Sequence, residues 1–188
     1  MDPGNIPFNA LIVGPTNSGK TQFLVNQLCG PFCGKFGYFA LICPKFAHNR
    51  TLYRFAERDP RLFVIICEQH QVELWLKAIS TFFEDTNILI VLDDCAASKD
   101  VKGRTGELVK IAFSARHAGI SMWVLTQQLS SIAKPFREHV ATLVLFYKPS
   151  AGELSQDAFK QLIARLKERK FSHLVFSLHD PFAIEVKE

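Results

Sequence analysis

The sequence has no long apolar segment and no secretory signal. No apolar run among its 188 residues approaches the roughly 20 residues that are needed to span a bilayer. The first residues, MDPGNIPFN, lack the basic and then apolar pattern of a signal peptide. We therefore expect an intracellular protein without a membrane partner. No linker, repeat or low-complexity tract divides the chain, so residues 1–188 are expected to form a single domain.

Cysteine is too sparse and too irregular to build a disulfide framework. The five cysteines contain no CxxC pair and are odd in number. Cys29 and Cys33 form the only close pair, and no further ligand residues accompany them to favour a redox or metal site. The other three lie at the ends of predicted strands, where free cysteine behaves as a small apolar residue: Cys43, Cys67 and Cys95. A reducing compartment is expected.

Positive charge is in only slight excess, whereas aromatic residues are plentiful. The net charge of +4 permits an acidic polymer as a partner but does not require one. Most of the 17 phenylalanines lie within apolar runs, which predicts a packed core rather than an aromatic cofactor site.

Short apolar runs alternate with stretches of helical spacing. Runs of this length suit strands that are buried on both faces of a parallel sheet, and the alternation predicts a three-layer α/β sandwich with a mainly parallel central sheet. The predicted strands are Ala10–Val13, Tyr38–Cys43, Leu62–Cys67, Ile88–Leu92, Ile120–Thr126 and Ala141–Tyr147. The predicted helices are Lys20–Leu28, Val72–Phe83, Gly106–His117 and Gln156–Lys170. The tail, HLVFSL and FAIEV around His179-Asp180-Pro181, predicts a C-terminal β-hairpin.

A phosphate-binding loop follows the first predicted strand. Residues 14–21 read GPTNSGKT and match G-x-x-x-x-G-K-T between a strand and a helix, which disfavours a chance glycine-rich turn. Lys20 is expected to reach the β- and γ-phosphates, and Thr21 to offer a hydroxyl to Mg²⁺. Backbone N–H groups of the loop and the helix N-terminus are expected to surround the phosphates. The loop residues are Gly14, Pro15, Thr16, Asn17, Ser18 and Gly19.

Two adjacent carboxylates end the strand ILIVLDD. Asp93 follows the apolar run directly and suits the acid that positions Mg²⁺. Asp94 is expected to project differently, because successive residues of an extended chain point to opposite sides, and to accept a proton from the attacking water. The alternative is a strand-end turn whose acids simply meet solvent. A bound dication would favour the ionised form of both carboxylates.

Another predicted strand, ISMWVLT, ends before Gln127 and Gln128. At a strand tip Gln127 can hydrogen-bond the attacking water or the γ-phosphate and so report which nucleotide is present. Two glutamines after a strand are otherwise an ordinary turn, and only their combination with the two motifs above favours a functional role.

These three elements together resemble the P-loop NTPases of the additional-strand type, in which a catalytic acid stands beside the magnesium acid. The segment FSARHAGISMWVLTQQ, residues 113–128, resembles a signature of the FtsK–HerA superfamily of DNA-pumping ATPases. The compact single-domain form, the LDD pair and IAKPFREHV are most similar to viral genome-packaging ATPases of poxviruses, other large DNA viruses and Polinton-like elements. The resemblance covers roughly residues 9–147.

The resemblance implies roles for individual residues. Lys20 and Thr21 become nucleotide ligands, Asp93 the magnesium acid, Asp94 the water activator and Gln127 the sensor. Asp94 departs from the Glu of many relatives. Members of the superfamily work as rings in which an arginine reaches the γ-phosphate of a neighbour. Arg116 is the first candidate for this finger and Arg137 the second, although either can be an ordinary surface arginine.

A glycine-flanked basic loop follows the Asp pair. In a ring, Lys99, Lys102 and Arg104 can line the pore and touch DNA phosphates without reading sequence, but the loop can equally be a solvated surface loop. The basic stretch RLKERK at 165–170 is more typical of an exposed helix face.

The sequence thus predicts an ATP- and Mg²⁺-dependent motor subunit that translocates double-stranded DNA into a viral capsid. Capsid or portal components are the expected partners, at an assembly site in the host cytoplasm or nucleus or in the virion. One alternative is a nucleotide-binding structural or regulatory packaging protein with little turnover. Another is a small-metabolite P-loop kinase, but the sequence has no arginine-rich lid. GTP specificity is disfavoured because N-K-x-D is absent.

Overall fold

The computed structural model describes residues 1, 4, 6–95, 101, 103–146, 173–177 and 183–187. Within them, eight strands form one sheet in the order β3-β2-β4-β5-β1-β6-β7-β8. The strands are β1 Asn9–Val13, β2 Tyr38–Ile42, β3 Leu62–Ile65, β4 Ile88–Asp93, β5 Ile120–Thr126, β6 Thr142–Phe146, β7 His173–Ser177 and β8 Ala183–Lys187. The helices are α1 Lys20–Cys29, α2 Arg50–Ala56, α3 Val72–Phe82, α4 Glu107–Ser114 and α5 Lys134–Glu138.

The sheet is mainly parallel, as the sequence predicts. All ladders from β3 to β6 are parallel, whereas β7 pairs antiparallel with β6, and β8 with β7. The predicted C-terminal hairpin is therefore confirmed. Because β5 lies between β1 and β4, the additional-strand arrangement is confirmed as well. The carboxyl ends of six parallel strands meet at one edge of the sheet, which is where α/β proteins bind their ligands.

Both faces of the central strands are buried, which explains their nearly continuous apolar sequence. In β4, Ile88, Ile90 and Leu92 belong to one core cluster, and Leu89 and Val91 belong to the other. Helices α3, α4 and α5 cover the first face, and α1 and α2 cover the second. This division follows from the two-residue period of a strand and produces the predicted three layers.

An aromatic cluster fills the second face, in agreement with the predicted phenylalanine-rich core. Phe32 lies with its ring centroid 5.0 Å from the Trp123 indole and 5.9 Å from Phe36. Phe8 packs against Phe32 at 5.8 Å and against Trp123 at 5.5 Å. Aromatic pairs at such distances stabilise a core by about 0.5–1.5 kcal/mol beyond the area that they bury.

The cysteines behave as their positions predict. Cys43, Cys67 and Cys95 are buried, whereas Cys29 and Cys33 are exposed, and all five are free thiols. Burial raises the pKa of the Cys43 thiol to about 12, with a smaller contribution from Asp93, so this thiol stays protonated at neutral pH.

The main departures from the predicted elements are three. Strand β3 ends at Ile65 rather than at Cys67, and the short helices α2 and α5 were not predicted. The predicted helix at 156–170 lies outside the described residues.

Within the described residues, no helix has both the length and the apolar character needed to cross a membrane.

Candidate nucleotide-binding site

The predicted phosphate loop joins β1 to α1 at the carboxyl edge of the sheet. Gly19 adopts φ 99° immediately before the helix, and Asn17 adopts φ 60°, so the loop makes two left-handed turns. The Gly14 N–H donates to the Thr126 carbonyl at 3.1 Å, which ties the start of the loop to β5. The Ser18 hydroxyl is buried and has no hydrogen-bond partner within the described part of the chain. This curvature is what a phosphate needs in order to meet several N–H groups at once.

Lys20 starts α1 and folds back over the loop. Its Nζ donates to the carbonyl oxygens of Gly14 at 2.7 Å and of Pro15 at 2.8 Å. Burial lowers the pKa of the Lys20 ammonium, and the carboxylates of Asp93 and Asp94 oppose that effect. The lysine therefore lies between the loop and the Asp pair, where an anionic ligand would replace weak carbonyl partners with charged ones.

Asp93 occupies the last position of β4 and is buried, with 7% of its surface exposed. Its Oδ2 lies 3.5 Å from Asn49 Nδ2, and the same amide nitrogen lies 3.4 Å from Thr21 Oγ1. Burial and, to a smaller extent, the Asp94 carboxylate raise the pKa of the Asp93 carboxyl to about 6, although Lys20 opposes both effects. The hydroxyl of Thr21 and the carboxylate of Asp93 thus face one another across a single side-chain amide.

This pair of oxygen donors fits a magnesium ion. Mg²⁺ binds hard oxygen ligands such as carboxylates and keeps several of its waters. The raised pKa of the Asp93 carboxyl reflects an unfavourable buried charge that a nearby dication would stabilise. Thr21 and Asp93 are therefore the residues of this chain that suit the predicted ion.

The Asp93 and Asp94 carboxylates contact different partners, but the extended backbone predicted for Asp94 is wrong. Asp94 is not extended, because its backbone has φ 57° and turns the chain at the strand end. Its carboxylate forms an ion pair with Lys45, with 2.9 Å between Nζ and Oδ2. Its carbonyl accepts from Gln69 Nε2 at 3.0 Å. The left-handed backbone of Asp94, rather than strand alternation, sets the direction of its side chain.

Six of the eight predicted nucleotide-binding residues, Thr16 to Thr21, line one open cavity of about 640 Å³, whereas Gly14 and Pro15 are not part of its lining. A volume of this size lies within the range of small-molecule sites, roughly 300–1,000 Å³. Gln127 is exposed at the carboxyl end of β5 and faces the same space. The described residues that line the cavity are Thr16, Asn17, Ser18, Gly19, Lys20, Thr21, Gln22, Cys43, Lys45, Asn49, Arg50, Thr51, Asp93, Asp94, Leu125, Thr126 and Gln127.

One wall of the cavity was missed in the sequence. It comes from the segment after β2 and the start of α2, and it includes Lys45, Asn49 and Arg50. Asn49 caps α2, because its side-chain oxygen accepts from the Leu52 N–H at 3.2 Å. An asparagine before an apolar pair at helical spacing was a readable signal for this helix, namely Asn49 before Leu52 and Phe55. By contrast, nothing in the sequence around Asn49 indicates that this residue lies close to Asp93.

The two arginine candidates lie away from the cavity. Arg116 is exposed in the turn before β5, at the amino edge of the sheet and therefore roughly 20 Å from the cavity of its own chain. Arg137 is half-buried in α5, and its Nε donates to the Ile132 carbonyl at 3.1 Å. Neither side chain lines the cavity of its own chain, and both predicted finger roles concern a neighbouring subunit.

The predicted DNA loop is only partly described. Lys99 and Lys102 lie outside the described residues, and Arg104 is exposed.

Comparisons with known proteins agree with the geometry. The family described as Poxvirus A32 protein matches residues 4–153, which is more than half of the chain. No curated protein sequence matches significantly. Among solved structures, the chain is similar to the genome packaging NTPase B204 of Sulfolobus turreted icosahedral virus 2 in complex with ATP-gammaS, with 15% identity, TM-score 0.70, and coverage of 100% of this chain and 98% of that chain.

Two further structures share the fold. The DNA-packaging ATPase B204 of Sulfolobus turreted icosahedral virus is 15% identical, with TM-score 0.71 and coverage of 96% and 97% of the two chains. The N-terminal domain of the zonular occludens toxin of Neisseria meningitidis is 13% identical, with TM-score 0.53 and coverage of 98% and 95%. At such identities the likeness shows the fold alone, and the family match carries the assignment. The chain belongs to the poxvirus A32 protein family, which confirms the resemblance to viral packaging ATPases that its sequence indicates.

Proposed function

We propose that the protein is an ATP-hydrolysing motor subunit that translocates double-stranded DNA during the packaging of a viral genome. One observation carries the proposal. Lys20, Asp93, Asp94 and Gln127 come from three strand ends, and all four line a single cavity at the carboxyl edge of the sheet. The family match and the likeness to packaging NTPases, one of them in complex with ATP-gammaS, support the same function.

ATP would enter the cavity with its phosphates against the loop. The N–H groups of the loop and the N-terminus of α1 would hold the β-phosphate, since both present positive partial charge. Lys20 would exchange the carbonyls of Gly14 and Pro15 for oxygens of the β- and γ-phosphates. Because charge-assisted hydrogen bonds are roughly twice as strong as neutral ones, this exchange favours the bound state.

Thr21 and Asp93 would hold Mg²⁺ beside the phosphates. The ion supplies neutralisation of the charge that develops on the transferring phosphoryl group. Asn49 already lies within hydrogen-bond distance of both side chains and keeps them facing the same point. The burial that raises the pKa of the Asp93 carboxyl also excludes water from around it, which strengthens its interaction with a cation.

Asp94 would then accept a proton from the attacking water, and Gln127 would orient that water. Both side chains line the same cavity as the phosphate loop. A general base must lie within hydrogen-bond reach of the proton that it removes. Asp94 is partly exposed and, among the described residues, pairs with Lys45 at its Oδ2, so a rotation of the side chain would let it meet a water.

Hydrolysis would be completed by an arginine from the next subunit of a homo-oligomeric ring. Arg116 suits this role because it is exposed and lies at the edge of the sheet opposite its own cavity. Arg137 is less suited, since its guanidinium is held by the Ile132 carbonyl. A planar, permanently charged guanidinium can bridge phosphate oxygens in the transition state.

The DNA would be gripped by the basic loop of Lys99, Lys102 and Arg104 through sequence-independent phosphate contacts. Capsid or portal components are the proposed partners of the ring, and the infected cell is its place of action. These assignments rest on the family and on charge.

A structural or regulatory packaging protein with little turnover is a second candidate. The observation that favours it is the ion pair between Asp94 and Lys45, which occupies the carboxylate that would activate water. Under this candidate, the Asp94→Asn variant keeps the function of the parent. Under the motor proposal, the same variant binds ATP but hydrolyses it at least about tenfold more slowly.

The primary experiment measures steady-state ATP hydrolysis with and without double-stranded DNA, and molecular mass with a non-hydrolysable analogue. We expect DNA to stimulate hydrolysis and the analogue to stabilise a ring. A monomer under every condition together with DNA-independent turnover would contradict the motor proposal.

A mixing experiment tests the trans arginine. Arg116→Ala subunits and Lys20→Ala subunits should each be inactive alone, and their mixture should recover part of the activity. Recovery is expected because an intact Lys20 site can face a subunit that retains Arg116. The control is Arg58→Ala, which removes another exposed arginine and should leave activity unchanged. Failure of the mixture, with both variants folded and assembling, would rule out a shared site built on Arg116.

A further inference from the structure

Lys45 faces the cavity from the wall opposite the phosphate loop. It lies two residues beyond the buried Cys43, in the turn after β2, and its ammonium contacts Asp94 Oδ2 at 2.9 Å. Its side chain is 68% exposed, and that of Asp94 is 33% exposed. The G-x-x-x-x-G-K-T motif does not include this lysine, and the function proposed above gives it no task.

We propose that Lys45 is a second lysine that binds the γ-phosphate, and that Asp94 holds it while the γ-phosphate is absent. This inference rests on the proposed function of the site and adds a residue that distinguishes ATP from ADP. The consequence is that the γ-phosphate itself would release Asp94 for its work on water.

The charges around the cavity support the exchange. Among the described residues that line it, the cations are Lys20, Lys45 and Arg50, and the anions are Asp93 and Asp94. Lys20 approaches from α1, and Lys45 approaches from β2 on the other side of the Asp pair. A triphosphate brings a further concentrated negative charge into this space, and the γ-phosphate is its outermost part. An ammonium on the β2 side is placed to neutralise it.

The ion pair between Lys45 and Asp94 is weak enough for a phosphate to replace it. An ion pair at the protein surface, here between an exposed lysine and a partly exposed aspartate, is weak because water screens the charges and both side chains lose freedom. A phosphate carries more charge than one carboxylate and offers three acceptor oxygens. The flexible four-carbon stem of lysine lets the ammonium move several ångströms while the backbone stays fixed.

The geometry also explains why the exchange would depend on the γ-phosphate. Asp94 follows Asp93 directly, and both carboxylates line the same cavity as Lys20 and Lys45, so the four charged groups share one neighbourhood. ADP would place its terminal phosphate within the loop, close to Lys20 and far from the β2 wall. ATP would extend one phosphate further, toward Asp94 and Lys45.

The test measures the affinities of ADP and of a β,γ-methylene ATP analogue, each with Mg²⁺, for the full chain. Lys45→Met keeps the aliphatic stem and removes the charge. We expect the analogue to bind about tenfold more weakly, which is the loss of one charge-assisted contact, while ADP binds within about twofold of the parent. Lys45→Arg should restore most of the preference for the analogue, since a guanidinium can reach the same oxygens.

Lys110→Met is the matched control. Lys110 is similarly exposed, at 65%, and pairs with Glu107 at 3.1 Å, but it lies on α4 away from the cavity. It should change neither affinity. Equal losses for ADP and the analogue in Lys45→Met would show a structural role, and unchanged affinities would show no role; either result overturns the proposal.

The outcome also separates this inference from the proposed function. If the parent protein binds neither nucleotide, the proposed function fails and the inference fails with it. If the parent binds both, and Lys45→Met retains the full preference for the analogue, only the role of Lys45 is refuted.

Discussion

The buried carboxylate of Asp93 should lower the stability of the nucleotide-free protein, and Asp93→Asn should reveal by how much. Burial raises the pKa of this carboxyl from its ordinary value of 3.8 to about 6. At about 1.4 kcal/mol for each pKa unit, this difference corresponds to about 3 kcal/mol of free energy. Asparagine imitates the neutral carboxyl in shape and carries no charge at any pH.

The direction in which stability changes with pH follows from proton linkage. The folded protein binds the Asp93 proton more tightly than the unfolded chain does, so the free energy of unfolding falls as pH rises from about 4 to about 7. This contribution is absent in Asp93→Asn. The variant should therefore match the parent near pH 4 and exceed it by up to about 3 kcal/mol above pH 7.

The assay is urea denaturation of parent and variant at several pH values, in EDTA and without nucleotide. Subtracting the two curves removes the titration of groups that both proteins share. Asp85→Asn, at an exposed turn, serves as the control and should shift stability by less than about 0.5 kcal/mol at every pH. A difference for Asp93→Asn that is constant with pH, or a loss of stability at pH 8, would refute the reasoning. The more stable variant should nevertheless lose Mg²⁺-dependent ATP hydrolysis.

Two further substitutions test the loop and the missed wall. A Cβ at Gly14 would lie 2.6 Å from Phe146 Cβ, an atom close to the backbone. Gly14→Ala should therefore lower the free energy of unfolding by about 1–3 kcal/mol, measured by thermal or urea unfolding. It should also weaken ATP binding, because the loop shifts. Asn49→Ser should keep the cap of α2 and its stability but raise the Mg²⁺ concentration needed for tight ATP-analogue binding, whereas Asn49→Ala should also lose about 1 kcal/mol of stability. Equal Mg²⁺ requirements in Asn49→Ser and the parent would show that the amide does not position Thr21 and Asp93.

Features that depend on local sequence were predictable. The strands β1, β4 and β5 appear as apolar runs because both of their faces are buried, and the end of β5 at Thr126 was predicted to the residue. The phosphate loop was predictable because its glycine, lysine and threonine act within eight consecutive residues. In these segments, the same few consecutive residues determine both the functional side chains and the backbone conformation.

Features that depend on contacts between distant segments were not predictable. Lys45 and Asn49 reach the Asp pair only because β2 lies beside β4, and nothing in their own neighbourhood indicates that pairing. The backbone turn at Asp94 was missed for a related reason. An apolar run predicts where a strand ends but not that the following aspartate adopts a positive φ. The roles of Arg116 and Arg137 stay predictions, since each concerns a second subunit.

Strand β5 has a mechanical consequence in the proposed ring. It starts four residues after Arg116, ends directly before Gln127, and is buried along all seven residues, over a length of about 23 Å. A strand that is close-packed on both faces resists compression and bending, so a push at one end moves the other. A displacement of Gln127 by the nucleotide would thus shift Arg116 on the far side of the subunit. Each β5 would act as a rigid link through which nucleotide binding at one ATP site moves the arginine that serves the next site around the ring.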